Sequence, residues 1–446
     1  NSAGVDSSDH EVNIKILVDS VVAAGEMTGK QRDRLLAEMT DDVGDLVLRD
    51  NYLQTQALSV AERQGAGQLA TQVRFMRGLE REGRLDREVE QLPNDEALQE
   101  LGTSGQGLTR PELSVLMAYA KMTLYDDLLR SDLTEAQALE EVLVKYFPRQ
   151  LRKQQSAAIQ SHRLRGEIIA TATANSIVNR VGFTFVHDMV RETGQGAGSI
   201  ARSYVAARDL YGLPQIWNAI EALDNKVPAA VQTDMVLSLA ELVSRVTLWL
   251  LRNCEQPLKI TPILESFGPG VQALMTELPK LMSPDALSAL EQRVSELTAQ
   301  NVPEALARLV ESTEALAAAC DIVQVAAVAE RPVIEVGQVY FSIGATLGLD
   351  RLRAQAEELG VDDHWQQAAI ASIVDDLNSQ QRALASVVLS RSEGADGAAA
   401  VQRWRQSNAR GVERCREMLD EFDATGGLDV AKLALVNRYV RRLIVS

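Results

Sequence analysis

Apolar residues recur along most of the chain at intervals of three and four, the spacing that lines one face of an α-helix. Leu113, Leu116, Met117, Ala120, Leu124 and Leu128 form one such stripe, and Leu35, Leu36 and Met39 form another. Val12, Ile14, Ile16, Leu17, Val18, Val21, Val22, Ala23 and Ala24 make a run that is apolar nearly all round and predicts a buried helix. Start and stop signals frame these segments. Ser8 and Glu11 stand in the S-x-x-E relation of a capping box, so a loop containing Ser2, Ala3 and Gly4 should give way to a helix at about Asp9, with Gly25 as its left-handed end. Thr28 and Gln31 predict a second box, and Thr40 with Asp41 the cap of a helix over 42–64. A charged helix over 69–90 is stopped by Pro93, and Thr109-Arg110-Pro111-Glu112 combines a Thr cap, an early Pro and a Glu at the third helical position.

Further on, a helix over 134–147 ends at Pro148, another covers 162–180, and Pro228 opens a long one reaching Arg252. Pro257, Pro262, Gly268, Pro269 and Gly270 then cluster as in a linker. Later helices are expected over 271–282, 285–300, 303–330, 332–359, 362–391, 397–421 and 429–445. The resulting organisation is all-α: an opening segment 1–25, a helical subdomain 26–252, a linker 253–270 and a second helical subdomain 271–446.

Composition agrees with that class. With 46% apolar, 24% charged and only 4% aromatic residues, the 446-residue chain is rich enough in Leu, Ala and Val for globular helical cores. A net charge of −17 with no basic run argues against nucleic acid and against an anionic membrane surface as partners. The window 236–251 is the most hydrophobic, but Glu241 and Arg245 fall inside it four apart, as in a core helix. Cys254, Cys320 and Cys415 are far apart and in no metal-ligand spacing, which suits free thiols in a cytoplasmic protein.

No self-sufficient active site is evident. The chain has no P-loop, G-x-G-x-x-G, G-x-S-x-G, H-E-x-x-H or C-x-x-C pattern. His10, His162, His187 and His364 do not cluster with carboxylates at metal-binding spacing, and the acidic pairs Asp41-Asp42, Asp126-Asp127, Asp362-Asp363 and Asp375-Asp376 are scattered, so neither a metal site nor a catalytic residue is assigned. The polar face Arg49, Asp50, Asn51, Gln54 and Gln56 reads as solvated or packed on a neighbour, and His162 with Arg163 and Arg165 reads as a surface ion-pair face in preference to an anion site. Ser8 has two readings, a helix cap or a hydroxyl that also donates to a ligand carboxylate.

Four separated motifs, NSAGVDSSDHEVNIKI, LVLRDNYLQTQALS, TRPELSVLMAYAKMTLYDDLL and HRLRGEIIATATANSIVNR, resemble the large-subunit bacterial NAD-dependent glutamate dehydrogenases, and VIEVGQVYFSIGATLGLDRL is also similar to them. Gly166 stands where that family has Arg, a departure that places Gly in a helix. The resemblance implies conversion of L-glutamate, NAD and water to 2-oxoglutarate, ammonia and NADH, with a homo-oligomeric assembly. It implies that Asn1 lies beside the nicotinamide of NAD and that Ser8 contacts the side-chain carboxylate of glutamate. It further implies that the dinucleotide fold and the reacting Lys and Asp precede this chain, which would be a C-terminal portion whose opening loop belongs to the catalytic domain. Alone, the chain is then expected to be inactive, and a non-catalytic scaffold for oligomerisation or allosteric control is the alternative.

Overall fold

The computed structural model describes residues 3–357, 359, 364–392 and 396–445, and among these it holds helices and no strand, as the periodicity predicts. Two compact units divide the chain, Asn1–Asp209 with Leu213–Ile263 and Leu210–Gly212 with Leu264–Ser446.

In the first unit the helices are α1 (Ala3–Ala23), α2 (Gly29–Glu38), α3 (Thr40–Gln64), α4 (Leu69–Arg81), α5 (Asp95–Thr103), α6 (Arg110–Leu129), α7 (Glu140–Tyr146), α8 (Arg149–Gln154), α9 (Ser156–Gln160), α10 (Arg165–Val181), α11 (Phe185–Thr193), α12 (Ala197–Leu210), α13 (Leu213–Glu221) and α14 (Ala229–Asn253). At its centre stands α10, whose Ile168, Ile169, Ala170, Thr173, Ala174, Ile177 and Val178 are buried and which packs on α3, α6, α7 and α14. The small Ala and Thr side chains let α6 approach closely, and α6 answers with its buried stripe from Leu113 to Leu128. The hydrophobic window of 236–251 lies in α14, which buries Val236, Leu239, Val243, Val246 and Leu250. Among the described residues no single helix is long and apolar enough to cross a membrane.

Several boundaries differ from the expected ones. α1 starts at Ala3, so the predicted opening loop is helical from there and Ser8 lies in its second turn rather than at a cap. The helix extends because its inward face continues past the apolar run to His10, which stacks on Tyr146 and faces the Asp50 carboxylate. Nor is α1 buried all round: Val12 is 49% exposed. Its other end follows expectation, with Gly25 at φ 77° and the Glu26 amide closing on the Val21 carbonyl at 3.2 Å. The capping boxes at Thr28/Gln31 and Thr109/Glu112 form. Thr40 does not cap: it is the first residue of α3, and its hydroxyl donates back to the carbonyl of Ala37 at 3.1 Å. The helix expected over 69–90 stops at Arg81, where Gly83 takes a positive φ of 67°, and Asn94 then caps α5.

In the second unit the chain runs through α15 (Ile260–Leu281), α16 (Pro284–Ala299), α17 (Glu304–Glu311), α18 (Thr313–Leu316), α19 (Ala319–Ala329), α20 (Val333–Leu347), α21 (Leu349–Glu357), α22 (His364–Ser390), α23 (Gly397–Ser407), α24 (Ala409–Ala424) and α25 (Val430–Val445). The segment expected as linker is helical from Ile260, with Pro269 inside α15. Pro262 sits in the first turn, where an amide has no helical partner to lose. Burial of Val271, Leu274, Leu278 and Leu281 along one face carries the helix past Pro269. α20 is the core helix, packed on α19, α22 and α23 through Val336, Val339, Tyr340 and Ile343. It ends at Gly348, whose φ of 69° splits the helix expected over 332–359.

Candidate functional site

α1 has two faces. Inward, His10, Asn13, Ile14, Leu17, Val18 and Val21 are buried at helical spacing against the first unit. Outward, Ser8, Val12, Lys15 and Asp19 follow one another at intervals of four, three and four and are exposed. An exposed hydroxyl beside a half-exposed valine forms the open side of the helix, while Glu11 and Lys15 pair across one turn.

The inward face is unusually polar at its first turns. The ring of His10, only 4% exposed, stacks on Tyr146 of α7 with centroids 4.5 Å apart, and its Nε2 lies 3.8 Å from the Asp50 carboxylate of α3. Tyr146 donates its hydroxyl proton to Asp9 at 2.7 Å. Asn13 donates to Asp9 at 3.1 Å and to the Tyr146 oxygen at 2.9 Å. Burial, and secondly the bond to Asp9, raises the Tyr146 phenol well above its ordinary range and keeps it protonated as a donor.

Beneath Asn13 lies His162, which is buried and not on the surface as its neighbours suggested. Its Nδ1 accepts the Leu164 amide at 3.0 Å, so Nε2 carries the proton and donates to the Asn13 carbonyl at 3.0 Å. Phe147 packs against the ring, and burial lowers the pKa below that of an ordinary histidine. This residue is a neutral strut between α9 and α1, whereas Arg163 beside it is exposed.

Next to this cluster, α6 inserts Lys121. Its Nζ is shut off from solvent without a hydrogen-bond partner, as are Asp6 Oδ2 and His10 Nδ1. Burial drives Lys121 down to about 8, although Asp50 and Asp6 attract its charge. Burial likewise raises Asp6, helped by the like charge of Asp50 and opposed by Lys121. Sequence reasoning passed over Lys121, yet a signal existed: it follows Met117 by four and precedes Leu124 by three, inside the apolar stripe of α6. A lysine at such a position has its ammonium buried or has a stem that reaches out.

The polar face of α3 is packed on a neighbour and its hydrogen bonds are satisfied there. Arg49 pairs with Glu221 of α13 and donates to Asn218 at 3.0 Å. Tyr52 donates to Asp224 at 3.0 Å, and Gln56 accepts from Arg180 at 3.1 Å. Arg180 pairs with Glu221 at 2.7 Å, both side chains being 7% exposed, and its guanidinium lies over the Trp217 ring. These bonds tie α3 to α10 and α13.

Of the residues singled out from sequence, Asn1 lies outside the described residues, and Ser8 is placed on the exposed face of α1. Asp362-Asp363 and the His364 side chain also lie outside them. Among the described residues no group of His, Cys, Asp and Glu has the arrangement to hold a metal ion.

Comparison with known families divides the chain where the cluster joins it. The family model described as bacterial NAD-glutamate dehydrogenase, catalytic domain, matches residues 1–61, which include Asp6, Asp9, His10, Asn13 and Asp50. The model described as glutamate dehydrogenase, C-terminal, matches residues 105–442, which include Lys121, Tyr146 and His162. The NAD-specific glutamate dehydrogenase of Pseudomonas aeruginosa is 41% identical over 447 residues, covering 100% of this chain and 28% of its own length. That of Halomonas elongata is 41% identical over 441 residues, covering 98% of this chain and 27% of its own. That of Mycobacterium tuberculosis is 34% identical over 444 residues, covering 99% and 27%. The chain thus spans little more than a quarter of the length of these curated relatives. Since the C-terminal model alone accounts for most of its helices, the chain belongs to the glutamate dehydrogenase C-terminal family.

Proposed function

We propose that this chain is the C-terminal part of a cytoplasmic, homo-oligomeric NAD-dependent glutamate dehydrogenase, which converts L-glutamate, NAD and water to 2-oxoglutarate, ammonia and NADH. The outward face of α1 closes one side of the glutamate site, and the helices behind it hold that face and support assembly. One observation carries this reading: Ser8 is exposed on the open side of a helix whose opposite side is anchored by a polar cluster. A serine hydroxyl there can donate to the glutamate side-chain carboxylate. The match of residues 1–61 to a catalytic-domain family supports the same assignment.

A dinucleotide is held at the carboxyl edge of a parallel sheet by a glycine-rich turn. The described residues contain no strand and do not fit that role, so NAD is assigned to chain preceding Asn1, with Asn1 itself beside the nicotinamide. NAD would supply the hydride acceptor in the full-length enzyme, and this chain would contribute orientation of the substrate carboxylate rather than chemistry.

Ser8→Ala in the full-length enzyme tests the reading. The KM for glutamate should rise by about 10- to 100-fold, with the KM for NAD unchanged, since losing one hydrogen bond to a charged group costs about 1.5–3 kcal/mol. An unaltered glutamate KM would overturn it. The isolated chain should form no NADH from glutamate and NAD, and measurable turnover would count equally against the assignment.

A further inference from the structure

We propose that Tyr146 is a positioning residue for the glutamate site, its hydroxyl gripping Asp9 and Asn13 of α1 and so fixing the turn of that helix which carries Ser8. The inference rests on the reading of Ser8 given above. Three observations support it.

The buried apolar side chains described for α1 are Ile14, Leu17, Val18 and Val21, all of them well beyond Ser8 along the helix. Closer to Ser8 the helix is tied by polar side chains, and most of those ties end on Tyr146. Its ring stacks on His10 with centroids 4.5 Å apart, its hydroxyl donates to Asp9 Oδ2 at 2.7 Å, and its oxygen accepts from Asn13 Nδ2 at 2.9 Å. The same Asn13 amide donates to Asp9 Oδ1 at 3.1 Å, so three side chains close a ring of hydrogen bonds that uses both amide hydrogens and the phenol proton. Asp9 follows Ser8 directly, and a shift of its carboxylate anchor turns Ser8 with it.

Tyr146 is itself firmly placed. It ends α7 between Leu143 and Phe147, both 0% exposed, and the Phe147 ring packs edge-on against Tyr146 at 5.1 Å and against His162 at 5.5 Å. His162 in turn donates to the Asn13 carbonyl, so Asn13 is held from its backbone as well as from its side chain. A polar group on such a support passes its position to the groups it bonds. The hydroxyl is also separable from the packing: a phenylalanine would keep the stack on His10 and lose the bonds to Asp9 and Asn13, both of which run to α1. Finally, the ring of hydrogen bonds bridges the two family segments, with Asp9 and Asn13 in the stretch that matches a catalytic domain and Tyr146 in the stretch that matches the C-terminal region. It is a point at which the helical region grips the end of the catalytic stretch.

The test uses the full-length enzyme with Tyr146→Phe, Asp9→Ala, Asp9→Asn, Ser8→Ala and the double variant of Tyr146→Phe with Ser8→Ala. Tyr146→Phe should raise the glutamate KM by about three- to tenfold and leave the KM for NAD unchanged. Asp9→Ala should act in the same direction, whereas Asp9→Asn, which keeps an oxygen to accept the phenol proton, should stay closer to wild type. In the Ser8→Ala background Tyr146→Phe should raise the glutamate KM no further, because it acts through that hydroxyl. A glutamate KM within about twofold of wild type for Tyr146→Phe overturns the proposal, as does a multiplicative effect in the double variant. Equal losses in Asp9→Asn and Asp9→Ala overturn it as well, since the retained acceptor would then have done nothing. A raised KM for both substrates together with a lower kcat overturns it too, being the signature of a lost structural contact. If Ser8→Ala raises the glutamate KM while Tyr146→Phe does not, the positioning role alone falls. If Ser8→Ala has no effect, the reading of α1 falls and this inference with it.

Discussion

Lys121 makes a measurable statement about stability. Its ordinary pKa of 10.5 is lowered to about 8 in the fold, so between those values the unfolded chain binds a proton that the folded chain has released. The cost of the buried charge is therefore fully present below pH 8, shrinks as pH rises and is gone above about 10.5. On the order of 2–3 kcal/mol is withheld at pH 7 by this group. Lys121→Met should accordingly melt several degrees higher than wild type at pH 7 and converge with it near pH 10.5. A variant less stable at pH 7, or a difference independent of pH, would count against a buried charged lysine. His162 works in the opposite range. Its pKa is lowered by burial, so the fold is favoured by the neutral ring and loses that contribution as pH falls below about 6.5. The residue scale is also where sequence reasoning was least complete. Ser8 was legible as a polar residue at a helix head, but its turn was misplaced because the S-x-x-E signal recurs within helices. Asp9 and Tyr146 meet across helices 137 positions apart, a juxtaposition that local pattern does not encode.

At the scale of elements, two glycines of the first unit separate cost from necessity. Gly166 occupies the first turn of α10, and a Cβ there would meet Thr134 and Leu129 only at 3.8 Å or beyond. Gly166→Ala should stabilise the chain by about 0.4–1 kcal/mol by restricting the unfolded state. Gly198, in the first turn of α12, is different, since a Cβ would come within 2.8 Å of the Ser131 Cβ. That atom is fixed by the Ser131 hydroxyl, which donates to the Leu128 carbonyl at 2.7 Å. Gly198→Ala should destabilise by about 1–3 kcal/mol. Denaturant titration of both variants checks the pair, and equal signs would contradict this packing. Elements were the most legible scale, because apolar period and cap chemistry are local. α6 and α14 begin where Thr109 and Pro228 predict. What misled was punctuation: Pro269 lies within α15 because a buried face holds that helix together, while Gly83 and Gly348 end helices that periodicity would have continued.

For the whole molecule, the division into two units separates two cores built on different helices, α10 in the first and α20 in the second. Each carries its own buried polar ties. In the first, Arg180 and Glu221 join α10 to α13, and in the second Gln381 donates to the Tyr340 carbonyl at 2.8 Å while Arg382 pairs with Asp321 at 2.9 Å. A unit with a core of its own can unfold as its own cooperative transition. Calorimetry of the chain should therefore resolve two transitions, with Gly198→Ala lowering one of them. Gly337→Ala should lower the other, because a Cβ at that position would lie 2.9 Å from Leu281 Cδ1 and 3.2 Å from Leu274 Cδ2, inside the packed interface of α15 and α20. Both substitutions acting on one common transition would mean that the chain folds as a single unit, and the boundary near Ile263 would then have no energetic meaning. The outcome also bears on function, since Ser8, Lys121 and the whole α1 cluster lie in the first unit. A second unit that can be loosened by Gly337→Ala without raising the glutamate KM of the full-length enzyme would confine the substrate-facing role to the first unit and leave α15–α25 to assembly or regulation.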